Sequence, residues 1–185
     1  MSKYLPRILI GVAVGGATYV LMTAVDGPSP LAVIAFISGV IATVYILTAL
    51  AGNRKVSVAG ADAKAKALEL APPSGRALLV VARAGFVAKL VGLNVALDGV
   101  VFAQLKSPAF SVLEIAPGAH TLTCGTGASP SQGKPGSYAF KAEAGAVVGV
   151  VVGVSLGSGY RFSPANDVAT LRRKLAGVPM VLAGS

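Results

Sequence analysis

Few residues in this chain carry side chains suited to bond-making chemistry, and they do not assemble into a reactive set. His120 is the single histidine and Cys124 the single cysteine. Ser158 sits in Gly157-Ser158-Gly159, and Asp98 precedes Gly99. A nucleophile needs a base within hydrogen-bond reach and a third group to orient that base. No spacing here links a serine, His120 and an aspartate in that way. One thiol makes neither an intrachain disulfide nor a metal cluster, and it fits a reducing compartment. Gly157-Ser158-Gly159 lacks the helix-opening Gly-Lys-Thr or Gly-x-Gly-x-x-Gly setting in which backbone amides cradle phosphate. His120 is therefore expected to support a turn or face solvent, and Cys124 to fill a small core position. The chain is read as no enzyme, with no cofactor and no metal.

The basic residues offer a second chemistry. The net charge is +9, from 16 Lys and Arg against 7 Asp and Glu. Aromatics make up 6% and there is no Trp, so no dense basic stripe with interleaved rings marks a nucleic-acid surface. Arg54, Lys55, Lys64 and Lys66 follow closely on a long apolar block and are expected contacts for anionic lipid.

The elements that hold these groups divide the chain. Mean hydropathy is +0.74, and from Ile8 to Gly52 the only formal charge is Asp26. Ile8–Val25 and Leu31–Ala51 are uncharged runs, separated by Asp26-Gly27-Pro28-Ser29-Pro30, which cannot continue a helix. Each run has the length that crosses a bilayer. The expectation is a transmembrane helical hairpin over residues 1–52, with spans at about 8–25 and 31–51. Lys3 and Arg7 precede the first run, Arg54 and Lys55 follow the second, and the turn has neither Lys nor Arg. This places both termini, and the domain that follows, in the cytoplasm of a bacterium, with the hairpin in its inner membrane. A basic start and small residues near Thr23-Ala24 also describe a signal peptide, although the apolar run is longer than a usual signal core. Gly11, Gly15 and Gly16, with Ala35 and Gly39, form small-residue faces for helix packing, either within the hairpin or against another subunit. No Glu, Lys, Arg or His lies inside either run, so transport by this chain alone has no carrier.

Residues 53–75 read as a linker with a short helix within 61–71, closed by Pro72-Pro73-Ser74-Gly75. Residues 76–185 read as strands. Short strand-like runs, the first of them rich in valine, cover 77–82, 93–97, 100–105, 110–115, 120–124, 138–142 and 146–156, with a short edge strand at 160–162. Asp98-Gly99 is a tight hairpin turn and Pro117-Gly118 a second turn. A helix over 167–176 is capped by Asn166 or Asp167, with Arg172-Arg173-Lys174 at its C-terminal end. Gly145, Gly149, Gly153 and Gly157 recur every four residues. That spacing also suits a helix face in a membrane, but valine density favours a strand. The fold class is then a membrane α-helical hairpin plus an all-β domain, a small antiparallel β-sandwich with a short C-terminal helix.

Three segments carry a family likeness: Ala77-Leu-Leu-Val-Val-Ala-Arg83, Leu93-Asn-Val-Ala-Leu-Asp-Gly99 and Glu114-Ile-Ala-Pro-Gly-Ala-His-Thr-Leu122. Over about residues 76–176 the chain resembles a bacterial domain family of unknown function related to PEGA domains. The resemblance implies a small β-sandwich of the kind found on envelope proteins and lipoproteins, and it brings no catalytic residues. The chain departs from that pattern in its two-helix start, in lacking a lipoprotein cysteine, and in Val147-Val148 where the family often has a Tyr pair. The function expected is a non-catalytic, membrane-anchored scaffold or accessory subunit of a larger membrane complex, with other membrane subunits and lipids as partners and no nucleic acid. The alternative is a tethered lipid- or ligand-binding module of the cell envelope.

Overall fold

The computed structural model describes residues 5–26, 30–126, 136–155, 159–165 and 167–184. Within helices, the side chains of 5–8, 26, 45–46 and 48–49 are not described. The chain forms two compact units, residues 1–51 and 52–185.

The first unit is a pair of antiparallel helices, α1 (Leu5–Asp26) and α2 (Pro30–Ala51). Their seam is built from small residues. Gly11, Gly15 and Ala32 are buried there, and the Tyr19 and Phe36 rings meet edge to face at 6.3 Å. Each helix has 22 residues. Among the described residues, no helix is long and apolar enough to cross a membrane. That finding corrects the expected two-span transmembrane hairpin, its inner-membrane location and the cytoplasmic orientation drawn from its charged flanks.

The second unit has its own layers. Two four-stranded sheets face each other, in the orders β4-β1-β7-β8 and β3-β2-β5-β6. The strands are β1 (Ala77–Arg83), β2 (Leu93–Leu97), β3 (Val100–Leu105), β4 (Ala109–Ile115), β5 (Gly118–Thr126), β6 (Gly136–Ala142), β7 (Val147–Ser155) and β8 (Gly159–Pro164). Two helices, α3 (Ala61–Leu68) and α4 (Val168–Leu175), pack on the outer face of the first sheet. With α1 and α2 this makes four helices among the described residues. The fold is therefore mixed α and β, which corrects the all-β antiparallel sandwich.

The parallel pairing of β1 with β7 is the second departure. Parallel strands need a long crossover, and here the whole second sheet lies between the two in sequence. The physical cause lies in β1, which is buried along its full length. Ala77, Leu79 and Val81 enter the core between the sheets, while Val80 and Ala82 enter the core beneath the helices. An unbroken apolar run is what a strand covered on both faces requires. Strand β7 divides the same way. Val148, Val150 and Val152 face the inter-sheet core, and Val147 and Val151 face the helices. Gly149 lies on that helix-facing side, where a Cβ would strike the Ala165 carbonyl and stand 3.0 Å from Leu171. Of the glycine repeat, Gly149 and Gly153 lie on β7 and Gly145 in the turn before it at φ +77°, and Gly149 makes room for the chain entering α4. Gly157 falls outside the described residues.

The edge of the first sheet at β4 is closed by both ends of the unit. Val58 bridges Val181 and Met180 bridges Phe110 of β4, and the tail runs on to β3 of the second sheet, where the Gly184 amide donates to the Phe102 carbonyl at 2.7 Å. Helices α3 and α4 cap each other. Lys64 Nζ donates to the Ala176 carbonyl at 2.6 Å, and Arg172 donates to the carbonyls of Leu68 at 2.8 Å and Glu69 at 2.6 Å. These cations satisfy carbonyls that a helix end leaves without partners.

Candidate functional site

The two residues with the most reactive side chains are both committed to structure. Asp98 and Gly99 take positive φ, +49° and +85°, as a tight hairpin turn requires. From that turn, Asp98 Oδ1 accepts from the Thr121 amide at 2.8 Å and Oδ2 meets His120 Nδ1 at 2.7 Å. His120 Nε2 meets the Ala116 carbonyl at 2.9 Å. A carboxylate and a carbonyl both only accept, so both ring nitrogens donate and the geometry selects the imidazolium. The hydrogen bond to Asp98, then that to Ala116, raises the His120 pKa above its ordinary 6.5. The same contact with His120, then the Thr121 amide, holds Asp98 below the ordinary carboxylate value. The pair clamps the β2–β3 turn to the β4–β5 turn at Pro117-Gly118, where Gly118 has φ +140°. Neither ring nitrogen is left to move a substrate proton. Cys124 is fully buried in the inter-sheet core, and burial pushes its thiol up to about 12, against a small opposing pull from Arg83. It is an inert thiol at neutral pH. Among the described residues, no group of three or more His, Cys, Asp or Glu gathers in metal-binding geometry.

A polar arrangement that the sequence does not advertise sits at the other end of the sheets. Arg83 ends β1 and is 2% exposed. Its guanidinium donates to the carbonyls of Leu105 at 2.6 Å, Ala88 at 2.6 Å and Val91. Burial pulls its pKa below the ordinary arginine value, but an arginine so bonded stays charged. The carbonyls of Ala88 and Val91 belong to the loop from Ala84 to Gly92. Ser107 Oγ donates to Gly85 of that loop at 2.6 Å, and Asn53 Nδ2 to Leu90 at 2.9 Å. Beside it, Gln104 Nε2 donates to Gly52 at 2.9 Å and to Asn94 Oδ1 at 2.8 Å, while Gln104 Oε1 accepts from the Arg54 amide at 2.6 Å. Residues 52–54 and the loop are thereby stitched to β2 and β3. The partners are distant in sequence, which is why spacing gives no sign of them.

The small-residue faces of the helix pair are only partly joined. At Gly15 a Cβ would stand 2.7 Å from Val40 and 2.9 Å from the Phe36 carbonyl, and a Cβ at Gly39 would stand 3.6 Å from Gly15 Cα. At Gly11 it would meet the Val40 carbonyl at 3.2 Å. Gly16 points to open space, and Ala35 is half-buried. Ala32, 1% exposed, is the seam residue that the four-residue spacing overlooked. The four basic residues separate as well. Arg54 and Lys55 are exposed beside the pinned loop, whereas Lys64 caps α4 and Lys66 lies near Glu69 and Glu114 on α3's side of the first sheet.

Under α4 lies a cavity of about 210 Å³, walled by Ala82, Val151, Leu171 and Leu175, with Thr170 and Lys174 among its lining. Its apolar lining continues the core beneath the helices.

No family model matches this chain, and no curated protein matches it. Among solved structures, the N-terminal domain of AlgF from P. aeruginosa aligns with a TM-score of 0.32 and 16% identity, covering 50% of this chain and 95% of that one.

Proposed function

We propose that this protein is a non-catalytic accessory or scaffold subunit that docks on a partner protein through the apolar faces of its helix pair. The observation that carries this is the inverted burial of α1 and α2. Their seam holds glycine and alanine, while Leu9, Val20, Leu21, Leu31, Ile34 and Ile41 are each more than half exposed. An apolar surface of that extent marks an interaction site. Covering each large aliphatic side chain is worth about 1.5–3 kcal/mol. The commitment of His120 and Cys124 to clamp and core supports a binding role over a catalytic one.

The test is affinity purification of the full chain in mild detergent, paired with the variant Ile34→Glu/Ile41→Glu. The expected result is co-purification at fixed stoichiometry with a partner that cross-links to α1 or α2, and loss of that partner in the variant. A solitary monomer, or a partner indifferent to the two glutamates, overturns the reading.

A further inference from the structure

The loop from Ala84 to Gly92 combines a rigid backbone with an unprotected apolar tip. Phe86 is 86% exposed and Leu90 69% exposed. Exposed aromatic tips commonly belong to loops with few internal bonds, but this backbone is held at many points. Arg83 and Ser107 fix its carbonyls from below, and Asn53 holds Leu90 from the side. The Val91 amide donates to Ala88 at 3.0 Å and the Lys89 amide to Phe86 at 3.2 Å. Ala88 is held at φ +53°, a left-handed conformation that costs a residue with a Cβ and persists where the surroundings enforce it. A buried arginine thus secures a strained loop whose two large apolar side chains face outward.

The charges around this tip have one sign. Lys89 lies between Phe86 and Leu90, and Lys106 precedes Ser107, whose amide donates to the Lys89 carbonyl at 3.3 Å. Arg54 and Lys55 follow Asn53, which is bonded to Leu90. All four cations are exposed, and residues 52–58, 84–92 and 99–109 contain no Asp or Glu. A protruding Phe and Leu ringed by Lys and Arg suits the headgroup boundary of an anionic bilayer. There, rings and aliphatic side chains enter the acyl edge while the cations stay with the phosphates. We infer that Phe86 and Leu90 form a peripheral insertion loop for an anionic lipid surface, with Lys89, Lys106, Arg54 and Lys55 as its headgroup contacts. This is adsorption at a surface, not a span, and it is independent of how the helix pair docks.

The protein contains no Trp, so Phe86→Trp gives the full chain a single reporter at the tip. Val100→Trp gives a control at the opposite end of β3, where Val100 is 71% exposed. The probes are vesicles of phosphatidylcholine alone and of phosphatidylcholine with an equal amount of phosphatidylglycerol. With phosphatidylglycerol present, the Phe86→Trp emission should shift to the blue and be quenched by acyl-brominated lipid. The Val100→Trp emission should stay unchanged. Adding Lys89→Gln/Lys106→Gln should weaken the lipid response about thirtyfold, the loss expected for two cations near an anionic surface. An unshifted tip reporter on chain that nonetheless floats with the vesicles overturns the inference. So does a shift indifferent to phosphatidylglycerol or to the two lysines, or an equal shift at the control position.

Discussion

The helix pair and the layered unit solve the burial problem in opposite ways. In α1 and α2 the contact centres on small residues, with Gly11 and Gly15 set against Val40, Val44 and Phe36, while many large aliphatic side chains are left outside. In the layered unit the large side chains are inside and polar groups do the fastening. Arg83, Gln104, Asn94 and Asn53 tie backbone segments together from buried or half-buried positions. The first arrangement is incomplete without something to cover it. The second buries its large side chains in two cores of its own and leaves a few outside, among them Phe86 and Leu90 on one loop and Val58 and Val100 apart from it. On the reading proposed above, partner recognition falls to the pair and self-contained stability to the unit.

The sharpest way to break that contrast is Arg83→Met. It leaves the carbonyls of Val91, Leu105 and Ala88 without their donor in a buried site, at a cost of about 3–5 kcal/mol. Denaturant unfolding of the layered unit should register the loss, with amide exchange in residues 84–92 rising first. Next in size is Gly15→Val, whose side chain collides with Val40 and with the Phe36 backbone. Overpacking of this kind costs about 1–3 kcal/mol. It should loosen the α1–α2 seam, read by cysteine cross-linking across the pair, and leave the layered unit's unfolding unchanged. Gly16→Val, facing open space, should leave the seam intact. If Gly15→Val destabilises both units equally, the division of labour fails.

The smallest effect is the His120–Asp98 clamp. A raised histidine pKa contributes stability that is complete below about pH 6.5 and lost as pH rises through the folded value. A depressed aspartate pKa contributes stability present above about pH 3.9 and lost as pH falls through its folded value. The clamp therefore works best between those limits. Because the Asp98 side chain is 50% exposed, solvent screens the pair and its share should stay under about 1 kcal/mol. Urea midpoints should fall modestly as pH rises past 6.5, and His120→Gln should flatten that slope. An unchanged slope in the variant would assign the pH dependence elsewhere.

Much of the layered unit was legible from local chemistry. The Asp98-Gly99 turn adopts the positive φ values expected of it, and Asp167 caps α4 by accepting from the Ala169 amide at 3.1 Å. The valine runs are strands because β-branched residues suit a pleated, covered surface. What stayed hidden was non-local. The unbroken apolar stretch from Ala77 to Ala82 suits a strand covered on both faces, but such a run does not say which elements cover it. The docking of α3 and α4 depends on Lys64 and Arg172 reaching carbonyls more than a hundred residues away. The pinned loop depends on Asn53 and Arg83 in the same manner. In the helix pair, hydropathy alone led to the expectation of spans that the described helices do not meet.

The closure of the β4 edge has a consequence for how the chain is made. Residues 57–59 leave the ribosome early, yet their pairing partners at 180–182 are more than a hundred residues behind them. Helix α3 likewise waits for Arg172 and Ala176 before its own end and that of α4 are satisfied. The strand edge at β4 therefore stays open from the time Ile115 emerges until residues 179–184 follow it and make the seal. Over that interval a nascent chain exposes the Phe110 backbone to any neighbour, and a chaperone or a companion nascent chain competes with the protein's own tail for the same edge.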